Sequence, residues 1–351
     1  MSVELHATEA AKQLLSSSKS PTGEVDAIED AFGWVAMPIP VKNPTVGTGL
    51  ALVGMLTYSL DDASPSSSTA VFGGKTDNES WMAGFKQSAF WAEDRFRFDV
   101  VAGKGEANLQ YFGRPDGIDL SDNPIDYSLN GWFLQPRFSV RAASRWFAGL
   151  QATMLDAKTS INLIDFLPPL ELDTQLVGIG PLVTFDSRDN RFNPRHGTFA
   201  ELIALRYDER WGSDFEYDKF QFFANHYHSL TPSVVLAMRV NGVLTDGNVP
   251  FFDEPSLTLR GFPMGRYQDE QMIATEAEAR WRFAERWTLV GIIGAGKVAS
   301  ERDAFGDAPT IVSKGIGIRF LASRKDEVNV GIDFAVGPDD DAVYFRVGEA
   351  F

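Results

Sequence analysis

The chain has no cysteine, which excludes a disulfide framework and any thiolate metal centre. It also has no long apolar run. Nothing approaches the ~18 consecutive residues that a spanning helix requires, and the mean hydropathy is only -0.14. Basic residues are too few for a nucleic-acid footprint: 32 lysines and arginines stand against 48 acidic residues, a net charge of -16. Nucleic acid is therefore not an expected partner. Met1 to Ser20 lacks the basic start and apolar core of a secretory leader. For an exported protein, that absence implies numbering from the mature form or a mis-assigned start.

The missing apolar run does not exclude a membrane. In a transmembrane β-barrel, lipid-facing and lumen-facing side chains alternate, so each span averages near neutral hydropathy. The chain carries that alternation from about residue 31 onward. Trp132, Leu134, Pro136, Phe138 and Val140 share one face, with Gln135, Arg137, Ser139 and Arg141 on the other. Trp146, Ala148, Leu150, Ala152 and Met154 oppose Gly149, Gln151 and Thr153. Phe96, Phe98, Val100 and Ala102 oppose Arg95, Arg97 and Asp99, and Ile316, Ile318 and Phe320 oppose Gly315, Gly317 and Arg319. The period is two throughout, with no helical segment between. Arginine leads the charges on the polar face, where a buried sandwich core would not tolerate it. Aromatics at 12%, with Phe 27 and Trp 8, suit interfacial girdles as well as a sandwich core.

Connections arbitrate between barrel and sandwich. Tight turns at 144–145, 230–232 and 284–285 alternate with long polar loops at 114–125, 164–173, 248–269 and 301–309. That rhythm belongs to a membrane barrel, with short periplasmic turns and longer external loops. The acids cluster at Asp61-Asp62, Asp116 to Asp122, Asp208 to Asp214, Asp253-Glu254, Asp303 to Asp307 and Asp339-Asp340-Asp341. We read them as solvated loops, with chelation of divalent cations beside lipid phosphates as the alternative. Residues 1–30 form a short polar extension, placed in the periplasm, with one helix candidate over Ala7 to Leu15. The barrel is expected over 31–351. Counting from residue 48 gives 15 strand-like segments. Gly33 to Val41 would supply a further, proline-weakened first strand, and both termini in the periplasm require an even number. Sixteen strands are expected, and a smaller barrel with this segment in the lumen is the alternative.

No catalytic set can be assembled from spacing, so the chain is read as non-enzymatic, with no cofactor and no metal; an outer-membrane lipid hydrolase is the remaining enzyme alternative. Gly291 to Lys297 follows phosphate-loop spacing until Val298 stands where serine or threonine is needed, and no helix follows. His226 and His228 share a strand face without an evident third ligand. The segment that invites a specific role is Leu259-Arg260-Gly261-Phe262, set in the 248–269 insertion and followed by Pro263-Met264-Gly265-Arg266-Tyr267. An arginine beside glycine between two hydrophobes reads as a loop tip whose guanidinium is aimed at a partner.

Two motifs in this order carry a resemblance. Phe185 to Phe199, with Asp186, Arg188, Asp189, Asn190, Pro194 and Gly197, is similar to a periplasmic turn of the BamA/TamA superfamily, the bacterial surface antigen barrels. Leu259 to Phe262 resembles the loop motif of that superfamily, with five strand-like segments after it. Phe351, with Val343, Phe345 and Val347 on the same alternation, resembles the terminal signal by which assembly machinery recognises barrels; Glu349 departs from the usual apolar choice. The resemblance covers about 31–351 and implies a plugged outer-membrane barrel, a short member lacking POTRA domains. It implies a role in membrane biogenesis or in translocating protein or lipid through lateral opening, with a passive pore or structural surface antigen as the alternative. Outer-membrane lipids, the barrel assembly machinery for its own insertion and periplasmic proteins are the implied partners. One departure stands out. The family's loop arginine pairs with a strand aspartate, and Gly294 occupies that position in Ile292-Ile293-Gly294-Ala295-Gly296. Glu276, Glu278 and Asp333, all on lumenal faces, are the candidate partners of Arg260.

Overall fold

The computed structural model describes residues 32–351 apart from 44, 114–119, 121–122, 163–167, 191–192, 264, 324–327, 339, 348 and 350. The polar extension of residues 1–30 lies outside the described residues. The strands are β1 (Phe32–Asn43), β2 (Gly47–Tyr58), β3 (Ser67–Thr76), β4 (Trp81–Trp91), β5 (Phe96–Tyr111), β6 (Ile125–Ala143), β7 (Trp146–Asn162) and β8 (Leu170–Asp186). They continue as β9 (Gly197–Tyr207), β10 (Tyr217–Thr231), β11 (Val234–Gly247), β12 (Gln271–Arg282), β13 (Trp287–Ala299), β14 (Ile311–Ser323), β15 (Val328–Val336) and β16 (Asp341–Val347). They form one 16-stranded sheet in sequence order, each strand antiparallel to the next.

The two faces separate by chemistry. On β7, Trp146 and Leu150 are exposed while Phe147, Gln151, Thr153 and Leu155 are buried. On β14, Ile316 is 64% exposed and Arg319, three residues on, is fully buried. In a water-soluble protein this would be inverted. In a membrane barrel the exposed apolar rows meet lipid and the buried polar rows meet the lumen. A one-residue slip would send arginines into the bilayer, so the pattern pins the register.

Both the start of β1 and the end of β16 lie at the end that carries the two-residue turns 144–145 and 232–233. The opposite end carries the long connections 208–216, 248–270 and 300–310. Aromatic pairs ring the tight-turn end: Trp146 with Phe185 at 4.9 Å, Trp281 with Phe283 at 5.8 Å and Trp287 with Phe320 at 5.0 Å. Such a belt marks a membrane–water boundary, and the short turns make this the periplasmic one.

β1 does not enter the lumen. It pairs with β2 from Phe32↔Tyr58 to Asn43↔Gly47, and Pro38 and Pro40, both exposed, offer no N–H to a neighbour. Among the described residues no backbone ladder joins β1 to β16, although the two strands lie against each other.

Candidate functional site

The long connection 248–270 folds into the lumen rather than standing in solvent. Within it, Ser256 bridges to Gln268, Leu257 donates its N–H to the Tyr267 carbonyl (2.8 Å) and Asp269 donates to Pro255 (3.0 Å). The loop is therefore a compact hairpin-like unit. Leu257, Leu259 and Phe262 pack with Val243, Met272 and Ala274 of the wall. Gly261 takes a φ of +113°, and a Cβ there would stand 2.6 Å from the Val336 carbonyl carbon. Only glycine permits that approach. Its N–H donates to the Tyr344 hydroxyl (3.0 Å) and its carbonyl accepts from Gly337 (3.1 Å).

That backbone placement delivers Arg260, 5% exposed, into a carboxylate cluster. Nε and Nη2 donate to the two oxygens of Glu276 at 3.0 and 2.6 Å, a bidentate pair. Nη1 donates to Asp333 at 3.0 Å and lies 2.7 Å from Glu278, a contact that is ionic rather than an aligned hydrogen bond. The structure thus brings Glu276, Glu278 and Asp333 together around Arg260. It also adds arginines that the sequence did not single out. Arg319 donates to both Asp333 oxygens (2.6 and 3.1 Å), Arg346 of β16 donates to Asp333, and Arg280 donates to Glu278 at 2.7 Å. Glu349 completes the cluster, 3.4 Å from Arg280 and 3.7 Å from Arg319, with Asn329 donating to it at 2.7 Å. Opposite charges thus alternate from the loop across β12, β14, β15 and β16. Nearby carboxylates hold the Arg260 guanidinium even more firmly protonated than usual, against burial, which works the other way.

The glycine at the family's aspartate position has a structural reason. A Cβ on Gly294 would stand 2.8 Å from Leu259, and one on Gly296 would stand 2.4 Å from Leu257. The loop leucines fill notches that these glycines leave on β13. The carboxylate sits across the ladder instead: Glu276 of β12 is the register partner of Gly294.

A second anchor lies on the far wall, built from residues that carry no sequence motif. The sequence pattern places Asp253 and Glu254 among the solvated loop acids, whereas in the structure both are held by the lumenal wall. Asp253 is fully buried. It accepts from the Tyr217 hydroxyl at 2.5 Å and from Lys219 at 3.0 Å, and its carbonyl accepts from Lys219 at 2.9 Å. Glu254 accepts from the Tyr111 hydroxyl at 3.2 Å, and the Phe251 ring stands edge-on to Tyr111 and Tyr127, 5.1 Å from each. The loop therefore spans the lumen from β5, β6 and β10 to β12 and β15. Burial pushes the Glu254 carboxyl up to about 7, Asp269 and Glu270 push the same way, and the Tyr111 hydroxyl opposes them.

The periplasmic turn motif is built to hold a turn. Asp186 accepts from Arg188 twice at 3.0 Å. Asp189 accepts from the N–H groups of Asn190, Arg195 and His196 at 2.9, 3.0 and 3.2 Å, and Asn190 accepts from Asn193 at 3.0 Å. Pro194 is buried. Gly197, at φ +103°, lies where a Cβ would meet the Ser187 carbonyl oxygen at 2.2 Å. Phe351 departs from simple alternation. β16 stops at Val347, so the period does not run through to the end. Phe345 is exposed outward, whereas Phe351 is 9% exposed and packs on Tyr227 and Ala237 inside the lumen. Arg239 lies 4.5 Å from its ring centroid, and Arg280 donates to its backbone oxygen at 3.2 Å.

Residues 170–351 match the Omp85 superfamily domain. No curated protein matches. Among solved structures, BamA from Haemophilus ducreyi lacking POTRA domains 1–3 is similar at 12% identity and a TM-score of 0.62, over 92% of this chain and 70% of that one. CdiB from Escherichia coli is similar at 14% identity and a TM-score of 0.62, over 92% of this chain and 63% of that one. CdiB from Acinetobacter baumannii is similar at 11% identity and a TM-score of 0.59, over 92% and 60%. At these identities the likeness is one of fold, and the chain spans less than two thirds of either CdiB.

Two outcomes are expected. Removing one partner of a buried ion pair costs about 3–5 kcal/mol because the other charge is stranded. Arg260→Ala should therefore free the loop, and limited proteolysis should cut between residues 248 and 269 at least tenfold faster than in the wild type, with the barrel core intact. For Glu254, the docked carboxyl holds its proton more tightly than the ordinary carboxyl at 4.5. Its contribution to docking is complete below 4.5 and is lost as pH rises through 7. Loop protection should thus weaken between pH 5 and pH 8, and Glu254→Gln should flatten that dependence; an unchanged pH profile in the variant contradicts the assignment.

Proposed function

The chain belongs to the Omp85 superfamily of outer-membrane barrels, and from that premise we propose that it is a plugged barrel working on its surroundings by lateral opening rather than a passive channel. The observation that carries this reading is the loop anchored to both lumenal walls by buried charge. A conduit for solutes would need that loop withdrawn, which means separating Arg260 from Glu276 and Asp253 from Lys219 together. The seam between β1 and β16 asks for less: β16 has 7 residues against 19 in β6, and β1 carries two prolines without an N–H. Opening there gives access to the bilayer while the plug stays seated.

The substrate would accordingly be a lipid or a polypeptide segment that moves between lumen and membrane. Outer-membrane lipids are the immediate surroundings, and a periplasmic protein is the natural source of clients, since the periplasmic half of the lumen lies below the plug. No chemistry on substrate is assigned. In this reading Phe351 serves the chain's own insertion: the assembly machinery reads it while the segment is extended, and its burial against Tyr227 follows closure.

Conductance in planar bilayers separates the readings. The wild type should stay closed at low voltage, and a variant lacking residues 251–267 should open to large, steady steps. Steady wild-type conductance as large as that of the loop deletion would overturn the plugged reading in favour of a passive pore.

A further inference from the structure

The periplasmic rim holds a group of arginines that the buried network does not use. Arg195, from the β8–β9 turn, and Arg282, at the end of β12, both donate through Nη2 to the Pro232 carbonyl, at 2.7 and 3.0 Å. Two guanidinium groups thus converge on one neutral oxygen. Among the described residues neither forms an ion pair. They line a cavity of 430 Å³ together with Arg286, Ser233 and Thr288. The acids on its wall are Glu349, already held by Arg280, Arg319 and Asn329, and Glu285. In a chain of net charge -16, a rim that sets Arg195, Arg282 and Arg286 beside carboxylates that already have partners is built for an anion from outside.

The geometry narrows which anion. Planar guanidinium groups present paired N–H donors that match the oxygens of a phosphate, and the hydroxyls of Ser233 and Thr288 can add donors. The position points to a lipid. Arg286 lines the cavity yet extends over the Phe320 ring, 5.8 Å from its centroid. Phe320 pairs with Trp287, which is exposed on the bilayer side, as are Trp281 and Phe283 across the same turn. This aromatic belt sets the rim at headgroup depth. Arg286 therefore reaches from the cavity to the bilayer side of the turn, where a lipid phosphate would enter while its acyl chains stay outside. We propose that the Arg195–Arg282–Arg286 pocket is a phosphate site for the headgroup of a periplasmic-leaflet phospholipid.

The test is calorimetric titration of the full chain in neutral detergent with three probes: dihexanoyl phosphatidylglycerol, inorganic phosphate and a glutamate-rich heptapeptide. The lipid should bind, and the Arg195→Gln/Arg282→Gln double variant should lose at least tenfold in affinity while keeping its heat-modifiable migration in gels. Arg286→Gln, made alone in a loop, should weaken the lipid and leave inorganic phosphate unchanged; it serves as the test if the double variant fails to fold. Inorganic phosphate binding as tightly as the lipid would overturn the lipid assignment in favour of a free-phosphate site. Loss of affinity for the acidic peptide alone would overturn it in favour of a protein interface, and unchanged affinity for every probe would overturn the site altogether.

Discussion

A guanidinium carried into a barrel lumen loses part of its hydration, and only well-aligned carboxylates offset that cost. Much of this molecule follows from meeting that requirement at Arg260. The loop must turn sharply enough to deliver the side chain, which fixes Gly261 at positive φ. The wall must supply acids at the right height, which fixes Glu276, Glu278 and Asp333 on lumenal parity. Those acids must be balanced when the loop is considered with its neighbours, which brings in Arg280, Arg319 and Arg346. Because Arg346 lies on β16 and Glu349 follows it, the charge cluster that seats the plug also holds the end of the last strand.

The cross-ladder placement of Glu276 shows how such a requirement can be met in more than one way. With Gly294 on β13, the space beside the loop goes to Leu259, and apolar burial there reinforces docking. The charge moves one strand over, to the residue opposite Gly294 in register. What is kept is a carboxylate at the same height in the lumen, reached from the neighbouring strand.

The fold was legible because alternation with period two is a local property. Trp146 and Leu150 against Gln151 and Thr153, or Ile316 and Ile318 against Arg319, declare their faces within a few residues. The acids around Arg260 were legible for the same reason, since parity alone puts Glu276, Glu278 and Asp333 on the lumenal side. What parity cannot give is which loop residue crosses to which wall. Asp253 meets Tyr217 and Lys219, and Glu254 meets Tyr111 on the far side, 143 positions away in sequence. An acidic pair in a polar insertion reads as solvated until the buried tyrosines opposite it are known. Phe351 turns inward although it shares the parity of the exposed Phe345, for a related reason: alternation extends only as far as the strand, and β16 ends first.

Arg260 and Glu276 act as one unit that holds the loop. Hydrogen exchange at the amides of residues 257–262 tests this most directly, in the wild type, Arg260→Gln, Glu276→Gln and the double variant. Coupled residues give non-additive losses, with interaction energies of about 0.5–3 kcal/mol. Each single variant should lower protection across the loop, and the double variant should lose little more than the worse single one. Losses that add, or protection unchanged in Arg260→Gln, would contradict that coupling.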